Sequence, residues 1–187
     1  MDERERRFVQ IYESYYGAVS AYARRRLADG DLAQDAVSET FLVAWRRLAD
    51  VPYGLDTLPW LYGVARRVIA NQRRGNLRRG ELSSRLARES PLSRDVDAGV
   101  LIDDERRGVL SALGRLREGD QEILRLAVWE ELSHREIGVV VGCSEATVAV
   151  RLHRARGRLG KEIQKGLPGA GHETRSEPPE PHGKAPE

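Results

Sequence analysis

The sequence predicts an all-α protein made of two small helical domains, joined by a flexible linker and followed by a disordered tail. In both halves of the chain, apolar residues recur every three or four positions, which is the spacing of one face of an α-helix. This periodicity fades between the halves among serine, glycine and charged residues, and five of the chain's eight prolines lie in the last 21 residues. We therefore place the domains at 1–75 and 105–165, the linker at 76–104 and the tail at 166–187.

The first helix is predicted by a stripe of mostly aromatic residues near the start of the chain. The stripe consists of Phe8, Ile11, Tyr12, Tyr15, Val19 and Tyr22. Large apolar side chains at helical spacing usually form the side of a helix that packs inward. We therefore expect this stripe to lie in the core.

The second helix, at about 32–48, has two different sides. Its apolar side is expected to pack inward through Val37, Phe41, Ala44 and Leu48. Its opposite side carries Asp35, Glu39, Leu42 and Arg46. A leucine exposed among charges suits a protein partner, although a merely solvated face would carry similar residues.

A loop at 50–58, marked by Pro52, Gly54 and Asp56, leads to a third helix at about 60–74. We expect four side chains of this helix to face the core, namely Leu61, Val64, Ala65 and Val68. On or near its outside it should carry Trp60, Gly63, Arg67, Asn71 and Arg74. Exposed aromatic side chains can stack on unpaired bases while neighbouring arginines bind the nucleic-acid backbone. Trp60 or Tyr62 could equally fill the core.

The sequence of the C-terminal half predicts four helices, and the last two of them form a helix-turn-helix. Apolar periodicity returns at 109–116 and 123–128. Ser133 and Glu136 then form a capping box, in which each side chain accepts a hydrogen bond from the other residue's backbone N–H. Gly142 permits a sharp helix exit, and Ser144 is a favourable N-cap for the next helix.

The last helix has a core side and a side suited to DNA. Its core side carries Val148, Leu152, Ala155 and Leu159. Its opposite side carries Ala146, Val150, His153, Arg154 and Gly157, flanked by Thr147, Arg151 and Arg158. Small residues let a helix approach the major groove, Val150 can meet a thymine methyl group, and Arg154 or His153 can reach base edges. A solvated basic helix in another kind of small helical domain is the alternative.

Composition restricts the classes of function. Eight arginines between Arg66 and Arg88 oppose one acid, whereas 95–105 holds five acids and no base, so charged surfaces of both signs are expected. A lone cysteine, Cys143, excludes an internal disulfide, and the sequence has no pattern typical of a metal site, a phosphate-binding loop or a catalytic histidine pair. We therefore expect no enzyme activity, cofactor, metal or small-molecule substrate. Because no apolar run reaches the roughly 20 residues of a membrane span and no signal peptide is evident, we expect a cytoplasmic protein.

Three blocks occur in order along the chain. They are DLAQDAVSETFLVAW at 31–45, PWLYGVARRVIANQRR at 59–74 and LSHREIGVVVGCSEATVAVRLHRARGRL at 132–159. Together they resemble the extracytoplasmic-function (ECF, group IV) sigma factors of the sigma-70 family. The resemblance implies a protein that binds core RNA polymerase, recognises the −10 and −35 elements of promoter DNA and initiates transcription of a specific regulon. It also implies an anti-sigma factor as a partner, although no residue identifies one.

The resemblance implies roles for particular residues. In the family, the second helix docks on the largest polymerase subunit, which implies polymerase binding by Asp35, Ser38, Glu39, Leu42 and Arg46. The loop and third helix capture a flipped base and hold the melted −10 strand, which implies Tyr53, Asp56, Trp60, Arg66, Arg67, Asn71, Arg73 and Arg74. The helix-turn-helix reads the −35 element, which implies Ser144, Thr147, Ala149, Val150, Arg151, His153, Arg154 and Arg158.

The sequence departs from the family pattern at four positions, and one alternative function remains open. Ser38, Asn71, Ala149 and Val150 depart from the residues that are usual in the family, and we expect these departures to shift promoter preference. A stand-alone helix-turn-helix transcriptional regulator is the alternative function. Such a regulator would normally need a dimer interface to span two half-sites, but the chain has no long apolar heptad pattern and no extra sensor domain.

Overall fold

The structure is a computed structural model that describes residues 1–84 and 104–166. Within these two ranges the chain forms seven α-helices and no β-strand. The helices are α1 Glu3–Arg24, α2 Gly30–Arg46, α3 Thr57–Ser84, α4 Asp104–Gly114, α5 Glu118–Val128, α6 His134–Val141 and α7 Glu145–Gly166. Two short 3₁₀ turns, Leu48–Asp50 and Gly54–Asp56, lie in the loop before α3. The all-α prediction is confirmed, while the predicted flexible linker and disordered tail fall largely outside the described residues.

The N-terminal unit consists of α1, α2 and α3, which pack on one another around a shared core. The four residues predicted to face inward from the second helix are all buried, although Leu48 lies in the 3₁₀ turn that follows α2. The prediction for the first helix was wrong in part. Tyr12 is 41% exposed, because it lies at the edge of a groove between α1 and α2, where its ring contacts Phe41 at 4.8 Å and Tyr16 at 5.1 Å between centroids.

The third helix differs from its prediction in two ways. It continues to Ser84 instead of ending near 74, because the glycines at 75 and 80 each cost only about 1 kcal/mol relative to alanine and the leucines, arginines and glutamate around them favour a helix. Gly63 was predicted on or near the outside, but it is buried against α6, where an added Cβ atom would lie 3.4 Å from the carbonyl oxygen of Val140. Tyr62 is also buried, so of the two aromatic residues it is Tyr62 that fills the core.

The C-terminal unit consists of α4 to α7, and its core is formed by buried aliphatic side chains from all four helices. The predicted capping box is present, with the Ser133 N–H donating to Glu136 over 2.8 Å and the Glu136 N–H donating to the Ser133 hydroxyl over 3.3 Å. Gly142 has a φ of 73°, which is the left-handed conformation that favours glycine at a helix exit. Three residues of the apolar pattern are nevertheless exposed, namely Val109, Leu110 and Val128.

The two units pack against each other through α3 and α6 and through a buried polar cluster. We call this the Arg26 cluster, and it consists of Tyr22, Arg26, Glu122 and Glu130. The Arg26 side chain, only 3% exposed, donates to Glu122 over 2.9 Å and to Glu130 over 2.8 Å. The Tyr22 hydroxyl also donates to Glu122, over 2.8 Å. Because Tyr22 and Arg26 belong to α1 and its C-terminal end while both glutamates belong to the C-terminal unit, this cluster joins the two units.

Candidate protein and nucleic-acid interfaces

The α2 stripe, defined as Asp35, Ser38, Glu39, Leu42 and Arg46, lies on the outside of the N-terminal unit. Its orientation follows from the opposite side of α2, where Ala36, Phe41 and Ala44 are buried. The start of the helix is set by Asp29, whose carboxylate accepts hydrogen bonds from the backbone N–H groups of Asp31 and Leu32. All five residues of the stripe are exposed, so they are available to a partner.

A groove of about 740 Å³ runs between α2 and α3. Six residues of the two predicted sites line it: Asp35, Ser38, Glu39 and Leu42 of the α2 stripe, and Arg67 and Asn71 of α3. The structure therefore brings together carboxylates predicted to bind polymerase and cationic or amide groups predicted to bind DNA. The α2 side of the groove carries the carboxylates of Asp35 and Glu39 together with Arg47, and the α3 side carries Arg67. Charged groups of both signs in one groove suit two different partners held next to each other.

A second groove, of about 550 Å³, lies between α1 and α2. It is lined mainly by aromatic and aliphatic side chains, including Phe8, Val9, Tyr12 and Trp45. Ser38 and Leu42 of the α2 stripe reach this groove as well as the first one. The stripe thus forms a ridge between an apolar groove and a charged groove.

The loop before α3 presents two large side chains to solvent. Tyr53 is 79% exposed and Leu55 is 83% exposed. Gly54, between them, has a φ of 67°, so the chain makes a tight turn there. The loop is tied to the start of α3 by the Thr57 hydroxyl, which donates to the Pro52 carbonyl oxygen over 2.8 Å. Leu55 was missed by the sequence reasoning, although an apolar residue between glycine and aspartate in a loop is a usable signal.

Asp56, the other predicted site residue of this loop, is engaged by the C-terminal unit. Its carboxylate accepts a hydrogen bond from Arg135 of α6 over 2.6 Å. This ion pair raises the pKa of the Arg135 guanidinium. One oxygen of the Asp56 carboxylate is therefore bound to Arg135, and a base that contacts Asp56 would share the carboxylate with Arg135 or displace it.

The predicted DNA-binding residues of α3 divide into three groups. Arg67, Asn71 and Arg74 are exposed on one side, where Arg74 donates to the Asn71 side-chain oxygen over 2.5 Å. Arg73 instead reaches the C-terminal unit, donating to Glu118 over 2.6 Å and to the carbonyl oxygen of Arg26. The remaining two, Arg66 and Trp60, are half-buried near the start of the helix.

The predicted DNA-reading side of α7 is mostly accessible. Val150 is 50% exposed, and His153 and Arg154 are exposed; within the described ranges neither of these two side chains forms a hydrogen bond or an ion pair. Ala149 and Arg151 are half-buried, whereas Thr147 is exposed. These side chains form the surface that a helix-turn-helix presents to a major groove.

Three of the residues predicted to bind DNA at α7 already have partners, and the hydroxyl groups of two of them, Ser144 and Thr147, form a hydrogen bond over 2.9 Å. The Ser144 hydroxyl accepts from the Thr147 N–H over 3.3 Å and therefore caps the helix, as predicted. Arg158 donates to Asp120 of α5 over 2.6 Å. A phosphate that contacts Arg158 would compete with this carboxylate or use the other N–H groups of the guanidinium.

The geometry of the helix-turn-helix depends on a glycine that the sequence reasoning missed. An added Cβ atom at Gly138 would lie 2.6 Å from the carbonyl oxygen of Cys143, which is closer than real Cβ contacts allow. The signal was a glycine in the middle of an apolar helix, four residues before the Gly142 turn. Glu136 contributes as well, because hydrogen bonds from Ser133 lower the pKa of its carboxyl and keep it charged at the helix start.

Among residues 1–84 and 104–166, no group of three or more histidine, cysteine, aspartate or glutamate side chains could hold a metal ion. In the same ranges, no helix has the length and apolar character required to cross a bilayer.

Comparison with known proteins identifies the family. A family model described as sigma-70 region 2 matches residues 11–79, and one described as sigma-70 region 4 matches residues 106–159. The chain belongs to the sigma-70 family. The two matched regions of this sigma factor correspond to the N-terminal and C-terminal helical units, and the region 2 match separates it from regulators that share only a helix-turn-helix.

Two curated relatives are RNA polymerase sigma factors, and one of them is named as an ECF sigma factor. It is 29% identical to the ECF RNA polymerase sigma factor BldN of Streptomyces coelicolor, over 79% of this chain and 57% of BldN. It is 28% identical to the RNA polymerase sigma factor YlaC of Bacillus subtilis, over 83% of this chain and 91% of YlaC. The chain therefore spans nearly all of one relative and little more than half of the other.

Solved structures agree with this fold. The sigma factor RpoE of Bartonella quintana, solved in complex with the anti-sigma factor NepR, matches with a TM-score of 0.62 and 25% identity over 84% of this chain and 96% of that one. CnrH, solved in complex with the cytosolic domain of CnrY, matches with a TM-score of 0.57 and 24% identity over 86% of this chain and 90% of that one, and this likeness shows the fold alone. This sigma factor is thus a transcription initiation factor of a family that is not enzymatic.

Proposed function

We propose that this sigma factor, as a group IV member, docks on core RNA polymerase through the α2 stripe while its loop and α3 hold the melted −10 strand. The groove between α2 and α3 is the observation that carries this proposal, because it is lined by residues of both predicted sites. A strand held along Arg67 and Asn71 would lie directly beside a polymerase surface docked on Asp35 and Glu39. Docking and strand capture are then two parts of one assembly.

The −10 site proposed here comprises the loop and one side of α3. It consists of Tyr53, Asp56, Trp60, Arg66, Arg67, Asn71, Arg73 and Arg74. Extruding a base costs a few kcal/mol of unstacking, which an aromatic stack and cations on the backbone must offset. The exposed ring of Tyr53 supports the stack, and the exposed Arg67 and Arg74 support the grip on the backbone.

The −35 site proposed here is the outer side of α7. Ala149, Val150, His153 and Arg154 face the bases, while Thr147, Arg151 and Arg158 contact phosphates near the helix start at Ser144. The accessibility of Val150 and Arg154 supports this division of roles. The phosphate contacts set the register of α7 on the duplex, and the base contacts set its sequence preference.

We also infer that an anti-sigma factor controls this protein. The support is that the similar sigma factor RpoE was solved in complex with the anti-sigma factor NepR. The proposed role requires no cofactor, metal or small-molecule substrate, and it places the chain in the cytoplasm with the chromosome.

The polymerase site is tested by changing both acids of the stripe, Asp35→Ala together with Glu39→Ala. We expect affinity for core polymerase to fall about 5- to 30-fold, because each exposed ion pair at an interface contributes roughly 0.5 to 1 kcal/mol. Binding of the −35 element by the C-terminal unit should stay unchanged. Surface plasmon resonance with immobilised core polymerase measures the first effect, and fluorescence anisotropy with a duplex measures the second.

The matched control is Glu13→Ala, which removes an exposed carboxylate from α1 outside both grooves. If the double variant loses polymerase affinity and duplex binding together, the α2 stripe supports the fold and does not dock.

The −35 site is tested by Arg154→Ala. If this guanidinium makes a bidentate contact with a base, the variant should weaken duplex binding by about 1 to 3 kcal/mol and relax specificity at one base pair. Competition between point-substituted duplexes locates that base pair. Arg156→Ala, an exposed arginine two residues further along α7, is the control for loss of charge alone. Equal effects of the two variants would argue against base recognition by Arg154.

A further inference from the structure

Arg7 of α1 is bound to the loop before α3. Its guanidinium donates one hydrogen bond to the Leu48 carbonyl oxygen, over 2.9 Å, and another to the Val51 carbonyl oxygen, over 2.5 Å. The side chains of Leu48 and Val51 are themselves buried, so both carbonyl groups are anchored in the core. A planar guanidinium that forms two such bonds is held in one orientation. Arg7 therefore fastens the first half of the loop to α1.

The same guanidinium also lies over the ring of Tyr53, with its central carbon 3.8 Å from the ring centroid. Cation–π attraction at this distance restrains the ring. Tyr53 nevertheless remains 79% exposed, so the opposite side of the ring faces solvent. The loop thus presents an aromatic surface whose rear is covered by a cation and whose front is open.

A fixed aromatic surface is a better stacking site than a mobile one. Stacking a base on a freely rotating side chain carries the entropic cost of immobilising that side chain, whereas a ring that is already restrained does not. Base–aromatic stacking also tolerates any base, because every base has a π-face. The arginine behind the ring additionally supplies positive charge near the backbone of a bound strand.

We propose that Arg7 is a positioning residue for promoter melting: it holds the loop and the Tyr53 ring so that an unpaired base stacks on the open face. This inference rests on the proposed −10 role of the loop. Arg7 lies outside residues 11–79, which the region 2 family model matches, so the match does not itself assign it a role. It acts through Tyr53 and the loop backbone and does not have to touch the DNA.

Arg4 provides a matched control on the same helix. Its guanidinium also donates to a backbone carbonyl, that of Trp45 over 3.1 Å, and also lies over an aromatic ring, that of Trp45 at 4.7 Å. It makes no contact with the loop that holds Tyr53. Arg4→Met and Arg7→Met therefore remove the same group and the same kinds of interaction at two places, only one of which leads to the proposed stacking surface.

The test measures binding of the assembled holoenzyme to a short fluorescein-labelled single strand taken from the −10 region of a promoter that the wild-type holoenzyme melts. Tyr53→Ala should weaken this binding about 5- to 100-fold through loss of the stack. Arg7→Met should weaken it about 3- to 30-fold through loss of the restraint. Arg4→Met should leave it unchanged, and Arg7→Lys, which keeps the charge but not the planar fork, should weaken it less than Arg7→Met does. Affinity for core polymerase should be the same for every variant.

A double-mutant cycle separates positioning from mere support of the fold. If Arg7 acts through the ring, Arg7→Met should add little to the loss already caused by Tyr53→Ala. Additive losses, or a loss of polymerase affinity in Arg7→Met, would show a general structural role and overturn the inference. If Tyr53→Ala weakens binding but Arg7→Met behaves like Arg4→Met, the inference fails while the proposed −10 site stands. If Tyr53→Ala itself has no effect, the proposed role of this loop and the inference are both wrong.

Discussion

Arg26→Met is expected to cost about 3 to 5 kcal/mol, because removing one partner of a buried ion pair leaves the other charge without compensation. Glu122 would lose its guanidinium partner, and Glu130, whose side chain is only 1% exposed, would lose one of its two. Arg25 also contacts Glu130, but it has no contact with Glu122 that could replace Arg26.

The cost should appear as separation of the two helical units before either unit unfolds. Both glutamates belong to the C-terminal unit and can regain water if that unit moves away from α1. Small-angle X-ray scattering should therefore show a larger radius of gyration for Arg26→Met. Urea unfolding followed by circular dichroism should show a lower midpoint or a transition that divides into two.

Arg24→Met is the control, because Arg24 is an exposed arginine of the same helix and, in the described ranges, has no bond to the C-terminal unit. It should leave both measurements unchanged. A wild-type radius of gyration and a wild-type midpoint in Arg26→Met would mean that the apolar contact between α3 and α6 holds the units together without the Arg26 cluster.

Gly138→Ala is expected to disrupt the helix-turn-helix. The new methyl group would lie 2.6 Å from the Cys143 carbonyl oxygen, which is a backbone atom and cannot rotate away as a side chain could. The turn between α6 and α7 would have to shift, at a cost of about 3 kcal/mol for overpacking. We expect duplex binding by the −35 site to fall sharply, while binding of core polymerase through the α2 stripe persists.

Gly160→Ala is the matched control in the same unit. Nothing lies within 4 Å of a Cβ atom added at Gly160, and the residue is inside α7. Because alanine is favoured over glycine in a helix interior, this variant should gain about 0.5 to 1 kcal/mol of stability. Thermal unfolding and duplex titration of the two variants give the comparison. If Gly138→Ala were as stable and as active in DNA binding as wild type, α6 would not depend on a close approach to the turn.

The helix-turn-helix could be predicted from the sequence because its signals are local. A capping box needs residues three positions apart, and the helix exit needs a single glycine, so Ser133, Glu136 and Gly142 identify the motif without any knowledge of the rest of the fold. The α2 stripe could be predicted for a similar reason. Once periodicity shows which side of a helix packs inward, the opposite side follows.

The contact between the two units could not be predicted in this way. It pairs Arg26 with Glu122, residues 96 positions apart, and neither lies in a pattern that names the other. The burial of Gly63 has the same origin, because only packing against α6 takes this part of α3 out of solvent. Helical periodicity shows that one side of a helix carries apolar or small residues. It does not show which element of the fold covers that side.

Part of the candidate site could not be predicted from the sequence, for a related reason. Arg7 reaches the loop across more than forty residues of sequence, and in the sequence it resembles any other arginine near a chain start. Asp56 and Arg73 were assigned to DNA, yet each of them forms an ion pair with the C-terminal unit. Solvent-exposed pairs of this kind are weak, so a polyanion that offers several phosphates can compete for the same cations.

This sigma factor is expected to direct core RNA polymerase to particular promoters, and a transcription assay shows whether it does. Purified chain, freed of any inhibitor, is added to core polymerase at low salt with genomic DNA fragments as templates, and the transcripts are mapped. The account predicts discrete start sites that core polymerase alone does not use. An unchanged pattern of transcripts, together with no binding of the chain to core polymerase, would contradict it.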